Sequence, residues 1–114
     1  MRTVALRVSL VAIGVVASGC YPKAGPPPAA LTESSVATAS ARWPGATAGA
    51  LSVGRDLFLA KCDECHGYPD LVAVAEDRWP RVLDGMARKA HLSPDERDEV
   101  LHYVLASRSE QAGR

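Results

Sequence analysis

Apolar positions along the chain fall into three regimes. Val8 to Ala17 (VSLVAIGVVA) is an almost continuous apolar run without a charge. It is about 10 residues, half of what a membrane-spanning helix needs. From Tyr21 to Ala50 large apolar side chains nearly vanish, and from Leu51 they return at helical spacing. Leu51, Gly54, Leu57, Phe58 and Cys62 share one face of a first helix. Trp79, Val82, Leu83, Met86 and Ala90 form the stripe of a second, with Arg81, Asp84 and Arg88 opposite and Pro80 in its first turn. Val100, Leu101, Val104 and Leu105 line a last helix. Ser93-Pro94-Asp95-Glu96 opens it, with Ser93 as N-cap, Pro94 at the first helical position and Glu96 completing a capping box. The pattern predicts an all-α domain of about three helices over residues 51–108 and a short disordered tail at 109–114.

The stretch before this domain has another composition. Four prolines fall between Pro22 and Pro28, and nine of the 30 residues from Tyr21 to Ala50 are alanine. So little apolar surface cannot offset the entropy of ordering a chain. Residues 20–50 are expected to form a disordered tether, stiff at its proline-rich start and flexible beyond, with a root-mean-square span of about 30 Å. The competing reading is a folded extension hidden by low complexity. Trp43 is the residue that raises it, since a tryptophan in a tether either docks on the domain or sits exposed. The formal net charge is zero, from 13 basic and 13 acidic residues, which argues against a nucleic-acid partner. A domain of under about 60 residues is marginal on burial alone and needs a staple.

The cysteines supply candidates for that staple. There are three, Cys20, Cys62 and Cys65, so they cannot all pair within one chain. Cys62-Asp63-Glu64-Cys65-His66 is C-x-x-C-H, the attachment signature of a c-type haem. Two thiols at this spacing add to the two vinyl groups of the haem, and the next histidine binds the iron. A C-x-x-C redox pair lacks the βαβ pattern that usually surrounds it. A zinc site lacks a second pair of ligands. The expected cofactor is one covalent haem c, held by Cys62, Cys65 and His66.

Cys20 belongs to a different device. Arg2 and Arg7 precede the apolar run, and Ala17-Ser18-Gly19-Cys20 closes it, as in an export signal. Small residues directly before a cysteine resemble the lipobox of bacterial lipoproteins, although Ala17 stands where that family prefers leucine. The resemblance implies a signal peptide over residues 1–19, lipid on Cys20, and an exported chain at a periplasm-facing membrane surface. Tyr21, in place of an aspartate, favours the outer membrane over the inner. An ordinary secretory signal with an incidental cysteine is the alternative. Loss of Arg2 and Arg7 with the signal leaves a slightly acidic mature chain.

From Leu51 to Ser107 the chain resembles the class I c-type cytochromes, in particular their small monohaem lipoprotein members. The resemblance implies a first helix crossing the last through a glycine and aromatics, here Gly54, Phe58 and Tyr103. It also implies a proline carbonyl that orients the iron-ligating histidine. Tyr68-Pro69-Asp70-Leu71 preserves only part of that motif, and Pro69 is its candidate. For the sixth iron ligand the mature chain offers Met86, His91 and His102. Met86 lies on the inward stripe and is preferred. His91 sits at a helix junction, His102 lies off the apolar stripe, and an open site is the remaining option. Trp79 could meet a haem propionate or serve packing alone. Arg97 falls on the inward side of the last helix, where it could snorkel or pair with a propionate. Arg78, Arg81, Arg88 and Lys89 form either a solvated face or a docking patch.

These readings converge on a membrane-tethered carrier of single electrons between redox proteins, cycling Fe(III)/Fe(II), with no catalytic residue and no small-molecule substrate. The rivals are a haem-based small-ligand sensor, a peroxidase-like module and a haem subunit of a larger oxidoreductase complex.

Overall fold

A computed structural model describes residues 27–62 and 67–114. Their regular structure consists of helix α1 (Glu33–Arg42), helix α2 (Ala48–Lys61), a 3-10 turn (Glu76–Arg78), helix α3 (Trp79–Ala90) and helix α4 (Pro94–Ala112). No strand occurs among the described residues. The described residues are all-α: three α-helices, α2 to α4, make up the expected domain, and a fourth, α1, precedes it.

Two boundaries are corrected. Helix α1 lies inside the expected tether, and α4 continues through most of the expected tail. Helix α1 forms because Thr32 caps it, its hydroxyl accepting from Ser35 N–H, with Glu33 in the first turn and Arg42 in the last. The helix and the turn after it pack through alanines. Ala39 and Ala46 are each 1% exposed and cluster with Leu51 and Ala106. Leu31 and Trp43 pack against this cluster and against the main core. Burial of methyl groups and one indole, not a stripe of large side chains, orders the arm. At the other end, the Glu110 carboxylate accepts from Thr32 N–H at 3.3 Å and from Arg114 at 2.8 Å, which fixes the last turns of α4.

Helix α4 is the hub. Helices α1, α2 and α3 all pack on it, while α2 and α3 make little contact with each other. Burial therefore wraps around α4: Val100, Leu101, Tyr103, Val104, Leu105, Ala106 and Ser107 are all buried. At the α2–α4 crossing the backbones meet at Gly54. A Cβ built there would lie 2.0 Å from the Glu99 carbonyl oxygen and 3.1 Å from Tyr103 Cβ. No residue other than glycine fits that approach. Phe58 and Tyr103 close the crossing with ring centroids 5.5 Å apart at 58°. Leu71, Trp79 and Leu83 complete the core, each fully buried side chain contributing about 1.5–3 kcal/mol. The Tyr103 hydroxyl is buried without a hydrogen-bond partner. Burial pushes its phenol above the ordinary range, against a smaller opposing pull from nearby Ser107 and Arg55.

The capping box of α4 forms as the sequence predicts: Ser93 N–H donates to Glu96 Oε2 at 2.8 Å, and Glu96 N–H donates to Ser93 Oγ at 3.2 Å. His91 ends α3 in the left-handed conformation, φ 57°. Arg97 then binds α4 to the start of α3. It donates to Asp84 Oδ1 at 2.8 and 3.0 Å, to Asp98 at 2.7 Å and to the Pro80 carbonyl at 2.9 Å. Partial burial disfavours the Arg97 cation, but the bonds to Asp98 and Asp84 outweigh it and raise its pKa.

Candidate functional site

Helix α2 leads into the C-x-x-C-H. Thr47 caps its start by accepting from Ala50 N–H. The helix runs until Cys62, which is its C-cap and donates its N–H to the Phe58 carbonyl at 3.0 Å. Cys62 is half-buried against the core. Cys65 and His66 lie outside the described residues, as do Cys20 and the signal region 1–19.

The chain returns to α2 at Tyr68. Its ring stacks on Phe58 at 5.8 Å and 24°, and its hydroxyl donates to the Leu59 carbonyl at 3.2 Å. The motif is thus bracketed: the segment leaves from the end of α2 and comes back to the same turns. Beyond it, Asp70 Oδ1 accepts from Val72 N–H and Ala73 N–H at 3.0 and 3.3 Å. This is an Asx-type turn that places Leu71 in the core. Pro69, the candidate to orient His66, is half-buried just before that turn.

Trp79 is 1% exposed and donates its indole N–H to the Leu71 carbonyl at 3.3 Å. That bond spends the donor that a propionate would need, so Trp79 packs the core and anchors the segment after the motif. Met86 lies on α3 and is half-buried, outside the cluster of fully buried residues. His91 is exposed. His102 is half-buried, and a Cβ at Gly45 would come within 3.8 Å of its ring. It therefore lies against the turn between α1 and α2 rather than in open solvent. Arg97, for which snorkelling and a propionate are the two readings, is committed to Asp84 and Asp98. Arg78, Arg81, Arg88 and Lys89 are all exposed.

One connection has little sequence signal. Arg42 of α1 pairs with Glu76. Arg108 of α4 donates to the Val74 carbonyl at 2.9 Å and stands 3.9 Å from Glu76. These contacts tie the arm, the 67–78 segment and α4 together. Trp43 was the one residue pointing to a docked arm, but nothing in the spacing of Arg42, Glu76 and Arg108 announces their meeting.

Among the described residues, no cluster of three or more His, Cys, Asp or Glu side chains is arranged to hold a metal ion. No described helix is long and apolar enough to cross a membrane. Compared with protein-family models, with curated proteins and with solved structures, the chain gives no match.

Proposed function

We propose that the chain is a monohaem c-type cytochrome, tethered to a membrane through lipid on Cys20, that passes single electrons between redox proteins. The observation that carries this reading is the C-x-x-C-H of Cys62 to His66, which begins where α2 ends. The donor set fits the group: two thiols for thioether bonds, an imidazole and a thioether sulfur for the iron. Helices α2 and α3 both rest on α4 and barely touch each other, which is compatible with a flat group between them. The Gly54–Tyr103 crossing is the packing that the resemblance to class I cytochromes implies.

In this reading Cys62 and Cys65 would hold the haem by thioether bonds, and His66 and Met86 would bind its iron. Bound haem supplies a one-electron Fe(III)/Fe(II) couple. The protein keeps the ligand-bearing segments in place. The Gly54 crossing fixes the Cys62 end, Tyr68 pins the return of the motif, and Arg97 holds α3. A methionine sulfur favours Fe(II) and raises the potential relative to two histidines. The half-buried position of Met86 suits a side chain that needs space for a partner at its tip.

The test is to mature the chain with haem c and record its optical spectrum. A covalent, low-spin haem with the far-red Fe(III)–sulfur band supports His66/Met86 ligation. Met86→Ala should abolish that band and lower the potential. Failure to retain haem after denaturation overturns the reading. A high-spin oxidised spectrum with rapid carbon monoxide binding to the reduced form replaces the carrier with a ligand-binding or peroxidase-like site.

A further inference from the structure

The segment after the C-x-x-C-H is held at its far end by two helices at once. Glu76 presents one carboxylate oxygen to each. Its Oε1 accepts from Arg42 of α1, and its Oε2 faces Arg108 Nη1 of α4 at 3.9 Å. Arg108 is forked, with its Nε donating to the Val74 carbonyl at 2.9 Å. Without Glu76, two guanidinium groups would be left close together with no acid between them.

The arm delivers its half of this clamp only when docked. The Arg42 guanidinium lies over the Trp43 ring, 4.8 Å from its centroid. Trp43 is packed in turn on both buried clusters. Seating the indole therefore sets where Arg42 points. The rest of the arm is fastened elsewhere: Ala39 and Ala46 cluster with Leu51 and Ala106, and Thr32 N–H donates to Glu110. No member of that alanine cluster belongs to residues 67–78. At the near end of the segment, Val72 and Ala73 N–H rest on Asp70 Oδ1, and the Leu71 carbonyl accepts from the Trp79 indole. Val72 and Ala73 are exposed, so their two amide bonds report how well the turn stays closed.

We propose that α1 is a latch on the segment that follows the motif. Docking of the arm and closure of residues 70–76 are one linked equilibrium, joined through Arg42, Glu76 and Arg108. Releasing the arm loosens the stretch that carries the chain away from the motif, and loosening that stretch releases the arm. Such reciprocity is required of any linkage. The latch depends on neither haem nor lipid. It gives α1 a task that a spacer does not have, control over how readily the chain opens just after the motif.

Hydrogen exchange of the full chain at one pH tests the latch. Ala39→Asp frees the arm from within a cluster that excludes the segment. Protection at Val72 and Ala73 should then fall by about two- to fivefold, the range expected of a partly exposed ion pair, with Val100 and Val104 unchanged. Arg42→Gln, a change at an exposed side chain, should act in the same direction. Asp70→Ala, which opens the turn from its own end, should speed trypsin cleavage after Arg42 by a similar factor. In a Glu76→Gln background neither Ala39→Asp nor Asp70→Ala should be felt at the other site. Faster cleavage after Arg42 in Ala39→Asp, with full protection kept at Val72 and Ala73, overturns the latch, because Arg108 then holds the segment alone. Transmission that survives Glu76→Gln, or a parallel loss at Val100 and Val104 in Arg42→Gln, overturns it too, because the coupling then runs through the core.

Discussion

Helices α1 and α2 both pack on α4, and they do so by different means. The α2–α4 crossing has no side chain at its closest point. Gly54 lets the Glu99 carbonyl in, and Phe58, Tyr103 and Val104 fill the flanks, each 1% exposed or less. The α1–α4 seam has no large aliphatic side chain among its fully buried members on α1; it uses Ala39, Ala46 and the half-buried Trp43. Polar ties at the arm's two ends, Thr32 to Glu110 and Arg42 to Glu76, complete it. A cleft of about 210 Å³ lined by Ser35, Thr38, Arg42, Trp43 and Glu110 remains along the seam. One contact is dry and steric, the other partly wet and electrostatic. The first should set global stability and the second a local equilibrium of the arm.

The largest effect should come from Gly54→Ala. Alanine is the better helix former by about 1 kcal/mol, but here its methyl would overlap the Glu99 carbonyl. A net loss of about 3 kcal/mol or more is expected in chemical denaturation. A neutral result would mean that the helices can separate without cost. Ala39→Asp tests the other contact. It should free the arm at a cost of about 2 kcal/mol, seen as faster trypsin cleavage after Arg42 and faster amide exchange in α1. Exchange at Val100 and Val104 should change little. Loss of protection in both regions together would show that the arm and the core are one cooperative unit.

Gly85→Ala gives the opposite sign. A Cβ at this helical position meets nothing within 4 Å, so the usual helix preference should stabilise the chain by about 0.5–1 kcal/mol. Two Gly→Ala changes in one protein, one in α2 and one in α3, would thus move the midpoint in opposite directions. The smallest effect is on pH. The Ser35 hydrogen bond holds the Glu110 carboxyl below its ordinary range against some burial, with Arg114 and Thr32 N–H adding to it. The group is more acidic folded than unfolded. Its contribution is therefore full above the ordinary glutamate pKa and is lost as pH falls through the lower folded value. Amide protection factors in α1, taken relative to the intrinsic exchange rate at each pH, should fall on acidification before those of α2, and Glu110→Gln should remove the difference.

The contrast also explains what the sequence made legible. Helices α2, α3 and α4 advertise themselves by large apolar residues at helical spacing, and the Ser93–Glu96 box marks the start of α4 without ambiguity. Gly54 could be placed only through the family resemblance, because a packing glycine and a surface glycine look alike in one sequence. Helix α1 was illegible for a related reason. Its one buried residue, Ala39, is an alanine, whose burial leaves no periodic signal in an alanine-rich stretch. At the candidate site, the C-x-x-C-H and Met86 could be named from residue type and spacing alone. The bonds that commit Trp79 to Leu71 and Arg97 to Asp84 could not, since each joins segments whose meeting depends on the fold. Trp79 and Arg97, for each of which a propionate is one of two readings, are held by the protein.

The central place of α4 bears on how the chain is made. The helix on which the other three rest comes last of the four in sequence, so none of them finds its partner until α4 has emerged. N-terminal segments that could fold early in synthesis are here deprived of a surface to fold on. Helices α1, α2 and α3 each gain their main packing surface only once α4 is present, so the cooperative step of folding comes at the end of the helix order.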